Sequence, residues 1–302
     1  MKPTLQIQAV LFHNDAEELR RALRTVDQAA KMGAERFSAI RLCWGDASAE
    51  PLFSEADLAA LRQACPHLTE LQYVFFAENT GYGEGNNRLA LSADADYHLI
   101  MNPEICLPPL ALCDLLEPFD QADTGIVEAR QIPVEHPKAF DPETMETEWS
   151  SGACFLISGP LFRELGGFDT RTFFMYCEDV DLSWRVRLAG KTIRYQAKTG
   201  VYHSKYLSSR GKSEAGTGEK RFTILSDALL AWKWSYPYYA RERIRQAVER
   251  RDDGADEAAA EFRRREALGQ LPPMLDPEHR IAHIRFFPQS GGMLFTAHRY
   301  SL

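Results

Sequence analysis

Residues 71–101 read LQYVFFAENTGYGEGNNRLALSADADYHLIM, and the order of patterns in this stretch decides the expected fold. The apolar run from Leu71 to Ala77 predicts a strand, the glycine-rich residues 78–85 predict a loop, and residues 86–92 predict a short helix. A further strand is predicted from Tyr97 to Met101. A strand, a helix and a second strand in this order are typical of the crossover unit of a parallel sheet.

The same alternation extends towards the N-terminus, with predicted strands from Leu5 to Phe12 and from Phe37 to Trp44. We therefore expect an α/β fold with a mostly parallel sheet flanked by helices. Ligands of such sheets bind beyond the carboxyl ends of the strands. Polar side chains follow each of these four strands, namely His13, Asn14, Asp46, Asn79, Asn102 and Glu104.

The composition is that of an ordinary globular protein, since 45% of the 302 residues are hydrophobic and 26% are charged. A net charge of −8 argues against a nucleic-acid partner, because general nucleic-acid binders carry a basic face. No apolar run approaches the roughly 18 residues that cross a bilayer, and the N-terminus lacks a signal-peptide pattern. Six scattered cysteines are interpreted as free thiols, so a cytoplasmic location is expected.

Downstream of the fourth strand the patterns are less regular. Residues 131–148, rich in Pro, Glu and Thr, are interpreted as a surface excursion, and residues 208–218 as a mobile lid. A strand is predicted from Lys191 to Gln196, followed by a loop that contains His203. Pro237 is expected to interrupt an aromatic-rich helix, which we predict to pack against the preceding part of the chain. Contact with a membrane surface or a second subunit is the alternative.

An acidic cluster stands at the centre of the stretch from Ser151 to Gly190. Glu178, Asp179 and Asp181 fall within four residues, at the start of an amphipathic helix. Acidic side chains stabilise a helix N-terminus, and that effect alone would explain the cluster. Because the cluster follows an apolar segment, at least one carboxylate is predicted to face a partly desolvated cleft, where a carboxylate can act as a general base. A capping or supporting role is expected for Asp181.

The glycine-rich residues 79–87 indicate a place where the backbone approaches a ligand closely. Glycines permit that approach, and the N-terminus of the following helix attracts negative charge. A plain tight turn would use the same residues.

Asn102 and Glu104, two positions apart after a buried strand, offer oxygen ligands of the kind that suit Mg²⁺ or Mn²⁺. His203 could add an imidazole nitrogen, although a hydrogen-bonded structural histidine is the alternative. Lys205 and Arg210 are candidates for diphosphate contacts, with a solvated loop as the alternative.

Taken together, these segments resemble the inverting family 2 glycosyltransferases with the GT-A fold, and among them bacterial rhamnosyltransferase-like proteins. The resemblance covers roughly residues 5–209 and is strongest at 151–190. Four elements match in order: Asn79-x-Gly81-Tyr82-x-x-Gly85-x-Asn87, the Asn102-Pro103-Glu104 version of the D-x-D metal motif, Glu178-Asp179, and His203. The long run GGFD…FFMYCEDVDLSWR is the most specific of these signals.

The resemblance implies roles for the matching residues. Asp179 would be the general base that deprotonates the acceptor hydroxyl, with Glu178 orienting the acceptor or the base. Glu104 and His203 would hold the divalent metal, Mg²⁺ or Mn²⁺, that offsets charge on the departing diphosphate. The remaining residues would line the donor site: His13, Asn14, Asp46, Asn79, Gly81, Tyr82, Gly85, Asn87, Asn102, Gly152, Ala153, Lys205 and Arg210.

The resemblance also implies partners and a division of the chain. The donor would be a nucleotide-diphosphate sugar, dTDP-rhamnose first and UDP-sugars next, and the acceptor a saccharide or a lipid-linked molecule. A GT-A catalytic domain would span residues 1–218, with a nucleotide-binding half at about 1–105 and an acceptor half at about 106–218. Residues 219–302 would form a helical extension. The alternative to its packing against the catalytic domain, peripheral contact with the inner face of the membrane or a homodimer, would use this region.

Three departures from the family pattern keep a rival hypothesis open. The acid after the second strand is shifted by one position in Gly45-Asp46-Ala47-Ser48, Glu104 stands where Asp is usual, and Leu89 replaces a common Gly. The first two favour a catalytically silent sugar-nucleotide or glycan-binding protein on the same fold. A sugar-phosphate nucleotidyltransferase or a dehydrogenase would need a glycine loop after the first strand, where the chain has His13-Asn14-Asp15.

Overall fold

The computed structural model describes residues 1–136, 138–203, 220–287 and 292–294 of the chain. Within these ranges the strands are β1 Thr4–Leu11, β2 Ala39–Asp46, β3 Glu70–Phe75, β4 Tyr97–Met101, β5 Thr124–Ile132, β6 Cys154–Ser158, β7 Thr192–Tyr202, β8 Arg285–Phe287 and β9 Gly292–Leu294. The helices are α1 Ala16–Gly33, α2 Glu55–Ala64, α3 Gly81–Leu91, α4 Ala111–Leu116, α5 Gly159–Glu164, α6 Glu178–Leu188, α7 Lys220–Lys233, α8 Pro237–Arg250 and α9 Ala255–Ala267, with a 3₁₀ turn at Glu117–Asp120.

Seven strands form one sheet in the order β3-β2-β1-β4-β6-β5-β7. Neighbouring strands of this sheet are parallel except where β6 pairs with β4 and with β5. The expected mostly parallel α/β sheet is therefore confirmed. Because β6 runs the opposite way, its first residues lie at the same edge of the sheet as the last residues of β4, β5 and β7.

Alternate residues of β1 explain why helices cover both faces of the sheet. Leu5, Ile7, Ala9 and Leu11 are buried in the main apolar core. The opposite face carries Gln6 and Gln8, which donate to backbone carbonyls of α3 at 3.1 and 2.9 Å. Gly85 permits this close approach, because a Cβ at that position would lie 2.6 Å from a methyl carbon of Val10.

Two elements extend beyond their predicted limits. Helix α3 begins at Gly81 rather than near residue 86, because the glycines form its first turns instead of a separate loop. Strand β7 continues to Tyr202, well past the predicted end at Gln196. A register shift opposite Ala129 and Arg130 takes up the extra residues and lets β7 pair with β5 again, so His203 directly follows a strand.

Residues 131–148 form the expected surface excursion over most of their described length, since residues 132–133 and 141–144 are exposed, but the segment is anchored at three positions. Gln131, Lys138 and Thr147 are all buried. Backbone bridges join Phe140 to Thr147 within the segment and residue 146 to β7. A lysine can be buried here because an ion pair compensates the loss of its hydration, as described below.

Helices α7, α8 and α9 share an apolar cluster with α6, and the predicted packing of this region against the rest of the chain is confirmed. The indole rings of Trp184 in α6 and Trp234 after α7 meet edge to face, with centroids 5.2 Å apart. As expected, α7 ends before Pro237, which begins α8. None of the described helices is long and apolar enough to cross a membrane.

Candidate active site

Asn102, Glu104 and His203 meet where β4 and β7 end. Glu104 Oε1 lies 2.9 Å from His203 Nε2, and Asn102 Nδ2 lies 3.2 Å from the same nitrogen. The second ring nitrogen, Nδ1, lies 3.2 Å from the side-chain oxygen of Gln131. If Nδ1 donates its proton to that oxygen, the Nε2 lone pair faces the carboxylate, an arrangement that is favourable only with a cation between the two atoms. Metal-binding histidines are commonly held in this way by a partner at the other nitrogen.

The described residues contain no group of three or more His, Cys, Asp or Glu side chains arranged to hold a metal ion. Glu104 and His203 therefore offer two ligands, one carboxylate oxygen and one imidazole nitrogen. Mg²⁺ is typically bound by one or two carboxylates, with substrate phosphates and water completing its coordination. The pair fits a cation that is shared with a phosphorylated ligand.

The backbone of Gly152 and Ala153 connects this edge to Asp179. Asn102 N donates to the Ala153 carbonyl at 2.8 Å, and Gly152 N donates to Asp179 Oδ2 at 2.7 Å. The Tyr82 hydroxyl donates to the Gly152 carbonyl. A Cβ at Gly152 would lie 3.2 Å from the Tyr82 side chain, so a larger residue here would press against the tyrosine that holds the turn. The predicted metal ligands and the predicted base thus lie at one edge of the sheet.

Glu178 and Asp179 begin α6 in buried surroundings. Glu178 is 6% exposed, and its Oε2 has no hydrogen-bond partner among the described residues. Burial, and then the neighbouring charge of Asp179, raises the pKa of Glu178 to about 8, so this carboxyl is largely protonated at neutral pH. Burial also raises the pKa of Asp179, but the N–H groups of Gly152 and Val180 oppose that rise. Two carboxyls with different environments are typical of acid–base sites.

His13 and Asn14 form the turn after β1, beside the end of β2. Asn14 Oδ1 accepts from Phe12 N at 2.8 Å, and His13 N donates to Ser48 Oγ at 3.2 Å. The imidazole of His13 is exposed. Two other predicted donor-site residues, Lys205 and Arg210, lie outside the described residues, as do the predicted lid residues 208–218.

Asp46 is fully buried at the end of β2. Its carboxylate accepts from the backbone N–H groups of Ser48 and Leu52, each at 2.9 Å, and from the Tyr73 hydroxyl. Both carboxylate oxygens therefore have partners within the protein, and Asp46 holds the loop that follows β2.

The start of α3 contacts the aromatic segment that precedes the acidic cluster. Asn79 Oδ1 accepts from Gly81 N at 3.0 Å. Gly81 has φ +69°, and a Cβ there would lie 2.4 Å from the Phe174 carbonyl oxygen. Further along α3, Asn87 donates to the Phe168 carbonyl and accepts from Phe168 N, both at 2.8 Å. Asn87 thus holds the Gly-Gly-Phe-Asp turn with both ends of its side-chain amide.

Asp181 anchors α6 to the C-terminal helices. It is fully buried, and its carboxylate lies 2.7 Å from Lys233 Nζ and accepts from Trp234 Nε1 at 3.1 Å and from Arg185 Nε at 2.8 Å. Of the two roles expected for Asp181, capping is wrong, because the side chain points to these three donors and Cys177 is the N-cap residue.

Glu128 and Lys138 were not predicted to belong to the site. Their side chains, only 3% and 4% exposed, form an ion pair beneath the segment that leads into β6. Lys138 Nζ also donates to the Trp149 carbonyl at 2.6 Å and lies 4.3 Å from the centre of the Trp149 ring. No local pattern marks this lysine, because its partner lies on a separate strand and its own segment is irregular.

The chain resembles known proteins in sequence and in fold. No family model matches the chain. The N-acetylglucosaminyl-diphospho-decaprenol L-rhamnosyltransferase of Mycobacterium tuberculosis is 35% identical over 102 residues, which are 32% of this chain and 32% of that protein. The chain thus matches about a third of the length of this mycobacterial relative. The rhamnosyltransferase WbbL of Escherichia coli is 25% identical over 229 residues, covering 62% of this chain and 80% of that protein.

Among solved structures, GalNAc-T7 with UDP, GalNAc and Mn²⁺ matches with a TM-score of 0.63 at 13% identity, over 90% of this chain and 60% of that chain. At that identity the match concerns the fold alone. The sheet order, the reversed strand β6 and this structural match define the chain as a GT-A-fold protein. In sequence, the chain is similar to these two rhamnosyltransferases, from Mycobacterium tuberculosis and Escherichia coli.

Proposed function

We propose that the chain is an inverting glycosyltransferase that transfers a sugar from a nucleotide-diphosphate donor to a hydroxyl of a saccharide or lipid-linked acceptor. The observation that carries the proposal is the position of the Asp179 carboxylate. It is held by the Gly152 N–H at the edge of the sheet where Glu104 and His203 also meet. A base and a diphosphate-binding pair at one edge are what a direct displacement at a sugar carbon requires.

In this reaction the acceptor oxygen forms a bond to the anomeric carbon while the bond from that carbon to the diphosphate oxygen breaks. Asp179 takes the acceptor proton, and the electron pair of the broken bond leaves with the nucleoside diphosphate. Attack from the face opposite the leaving group inverts the anomeric centre. The hydrogen bonds that Asp179 accepts favour its ionised form, which is the form a base needs.

Glu104 and His203 would hold a divalent cation, Mg²⁺ or Mn²⁺, when the donor is bound. A bound cation supplies charge stabilisation to the departing diphosphate. The facing oxygen and nitrogen atoms of this pair support such a site, and Gln131 would keep the imidazole in the required tautomer. Asn102, which contacts the same imidazole, would fix the orientation of the ring.

For the donor we propose dTDP-rhamnose first and UDP-sugars second, supported by the names of the sequence relatives. A lipid-linked acceptor, as the name of the mycobacterial relative indicates for that protein, would be reached from the cytoplasmic side by peripheral contact with the membrane. We also propose that the chain is divided into a catalytic domain, residues 1–218, and a helical extension, residues 219–302. Donor contacts would come from His13, which follows β1, and from Gly81 and Tyr82, which follow β3.

The direct test is Asp179→Asn, compared with Asp256→Asn, an exposed aspartate in the first turn of α9. Thermal shifts with UDP, dTDP, GDP and their sugars, with and without Mn²⁺, first identify the donor, because a ligand that binds the native state stabilises it. Asp179→Asn should then lower kcat by about 10²–10⁴-fold with little change in nucleotide Kd, as expected for loss of a general base. Asp256→Asn should leave both unchanged.

The outcomes of these experiments distinguish a glycosyltransferase from a catalytically silent binding protein. Nucleotide binding without transfer or donor hydrolysis by the unaltered protein would support a silent binding protein instead. Transfer that persists at full rate in Asp179→Asn would refute the assigned base.

A further inference from the structure

The segment Trp149–Gly152 contains the backbone N–H that donates to Asp179. It packs against the buried ion pair of Glu128 and Lys138. Glu128 Oε1 accepts from Ser151 N at 3.0 Å, and Lys138 Nζ donates to the Trp149 carbonyl at 2.6 Å. The pair therefore holds two of the residues immediately before Gly152 through their backbone atoms. Removing two charges from water is unfavourable unless their mutual attraction and hydrogen bonds compensate for the lost hydration. A pair this costly, placed one residue from the contact to Asp179, suggests a role beyond packing.

The same segment is joined to helix α6 at a second point. Ser150 N donates to Ser183 Oγ at 2.9 Å, and Ser183 Oγ donates to the Asp179 backbone carbonyl at 2.7 Å. The segment thus contacts Asp179 twice, once at its carboxylate through Gly152 and once at its backbone through Ser183. Movement of the segment would change the direction and the hydrogen bonding of the carboxylate together.

Lys138 also acts on Asp179 through its charge. Burial lowers the pKa of Lys138, and the charge and hydrogen bond of the adjacent Glu128 oppose that fall, so the paired carboxylate favours the ammonium form. Burial raises the pKa of Asp179, and the Lys138 ammonium is the cation that opposes this rise, after the N–H groups of Gly152 and Val180. With Glu178 largely protonated beside it, Asp179 has this ammonium as its principal nearby cation among the described residues.

We propose that Lys138, together with Glu128, is a positioning residue for the base: the pair fixes the Trp149–Gly152 segment and keeps Asp179 ionised and directed at the acceptor. The inference rests on the proposed transferase function and assigns residues to it that its sequence motifs do not include. Lys138 does not touch the reacting atoms. It acts through the segment and through its charge.

Two neutral-pair variants test this role in the full chain. Glu128→Gln/Lys138→Met removes both charges with little change in volume, and Glu128→Gln/Lys138→Gln removes the charges while an amide can still donate to the Trp149 carbonyl. Lys198→Met is the matched control, because Lys198 forms a surface pair with Glu117 and its side chain is 66% exposed. Both neutral-pair variants should bind the nucleotide with Kd within about twofold of the unaltered protein, since neither side chain is assigned to the donor site.

In both variants kcat should fall at least about tenfold, which is less than the 10²–10⁴-fold expected for loss of the base itself. The acidic limb of the kcat–pH profile should move to higher pH, because Asp179 loses the cation that favours its ionised form. Lys198→Met should change neither quantity. If one neutral-pair variant does not fold, the other supplies the same two readouts.

An unchanged kcat and an unchanged acidic limb in a folded neutral-pair variant would overturn the positioning role. Reduced kcat with an unmoved limb would also overturn it, since a purely structural pair would give that result. Full activity in Asp179→Asn would instead refute the transferase mechanism itself, so the two failures are distinguishable.

Discussion

Replacing Glu178 by glutamine should stabilise the protein, and the gain should grow as the pH rises. The side chain is 6% exposed and Oε2 has no partner among the described residues, so ionisation places an unpaired charge in a buried site. Burial raises the pKa of this carboxyl from 4.5 to about 8. The folded state therefore holds a proton that the unfolded chain has already released across the pH range between these two values.

The sign and size of the effect follow from linkage. Between pH 4.5 and 8 the folded state binds more protons at this position than the unfolded state, so the free energy of unfolding falls as pH rises. Each pH unit costs about 1.4 kcal/mol in this window. Relative to the wild type, Glu178→Gln should gain about 1 kcal/mol at pH 5 and about 4 kcal/mol at pH 8.

Urea unfolding at pH 5, 6, 7 and 8 measures the difference directly. Glu164→Gln is the control, because Glu164 is exposed in the last turn of α5 and its replacement should change stability by less than about 0.5 kcal/mol throughout. A Glu178→Gln difference that does not vary with pH would refute the buried proton, and a loss of stability at pH 8 would show that the ionised form is compensated in the folded state.

Three further predictions concern other parts of the site. Lys233→Met should lower the free energy of unfolding by about 1.5–3 kcal/mol, because the buried carboxylate of Asp181 loses its ammonium partner while Arg185 stays in place; a loss below 1 kcal/mol in urea unfolding would contradict this. Gly81→Ala should destabilise by at least about 1–2 kcal/mol, since φ is +69° and the new methyl would collide with the Phe174 carbonyl; an unchanged unfolding midpoint would contradict it. Glu104→Gln should weaken Mn²⁺ binding in the presence of nucleotide at least about tenfold by calorimetry, and an unchanged affinity would exclude Glu104 as a ligand.

The fold could largely be predicted from the sequence because its first half is built from local patterns. Each strand from β1 to β4 is an apolar run followed by a helical pattern, and crossover connections make such strands parallel. The reversed direction of β6 was not predictable in this way. Its four buried residues, Cys154–Ile157, form an apolar run that would suit a parallel or an antiparallel central strand equally well.

The same distinction applies to the site: short local motifs could be predicted from the sequence, and long-range contacts could not. Glu178-Asp179 and Asn102-Pro103-Glu104 are short motifs at the ends of elements, and the sequence alone indicated their chemistry. The sequence around a buried lysine does not reveal its ion-pair partner. The role of Lys138 could therefore be recognised only from the structure, where its segment packs against Glu128 of β5. Asn87 illustrates the converse, because its motif position pointed to the donor while both ends of its amide bind the Phe168 backbone.

The backbone immediately before α6 indicates how the C-terminal helices take part in the site. Tyr176 and Cys177 have φ of 69° and 65°, conformations that cost a residue with a side chain roughly 1–2 kcal/mol each. Strain of this kind persists only where the surroundings impose it. Here Cys177 Sγ contacts Asp227 of α7 at 3.7 Å, and Asp227 accepts from Arg243 of α8 at 3.0 Å. Contacts from α7 and α8 therefore hold the backbone turn immediately before Glu178 and Asp179, so these two helices help to position the paired carboxyls although they supply neither of them.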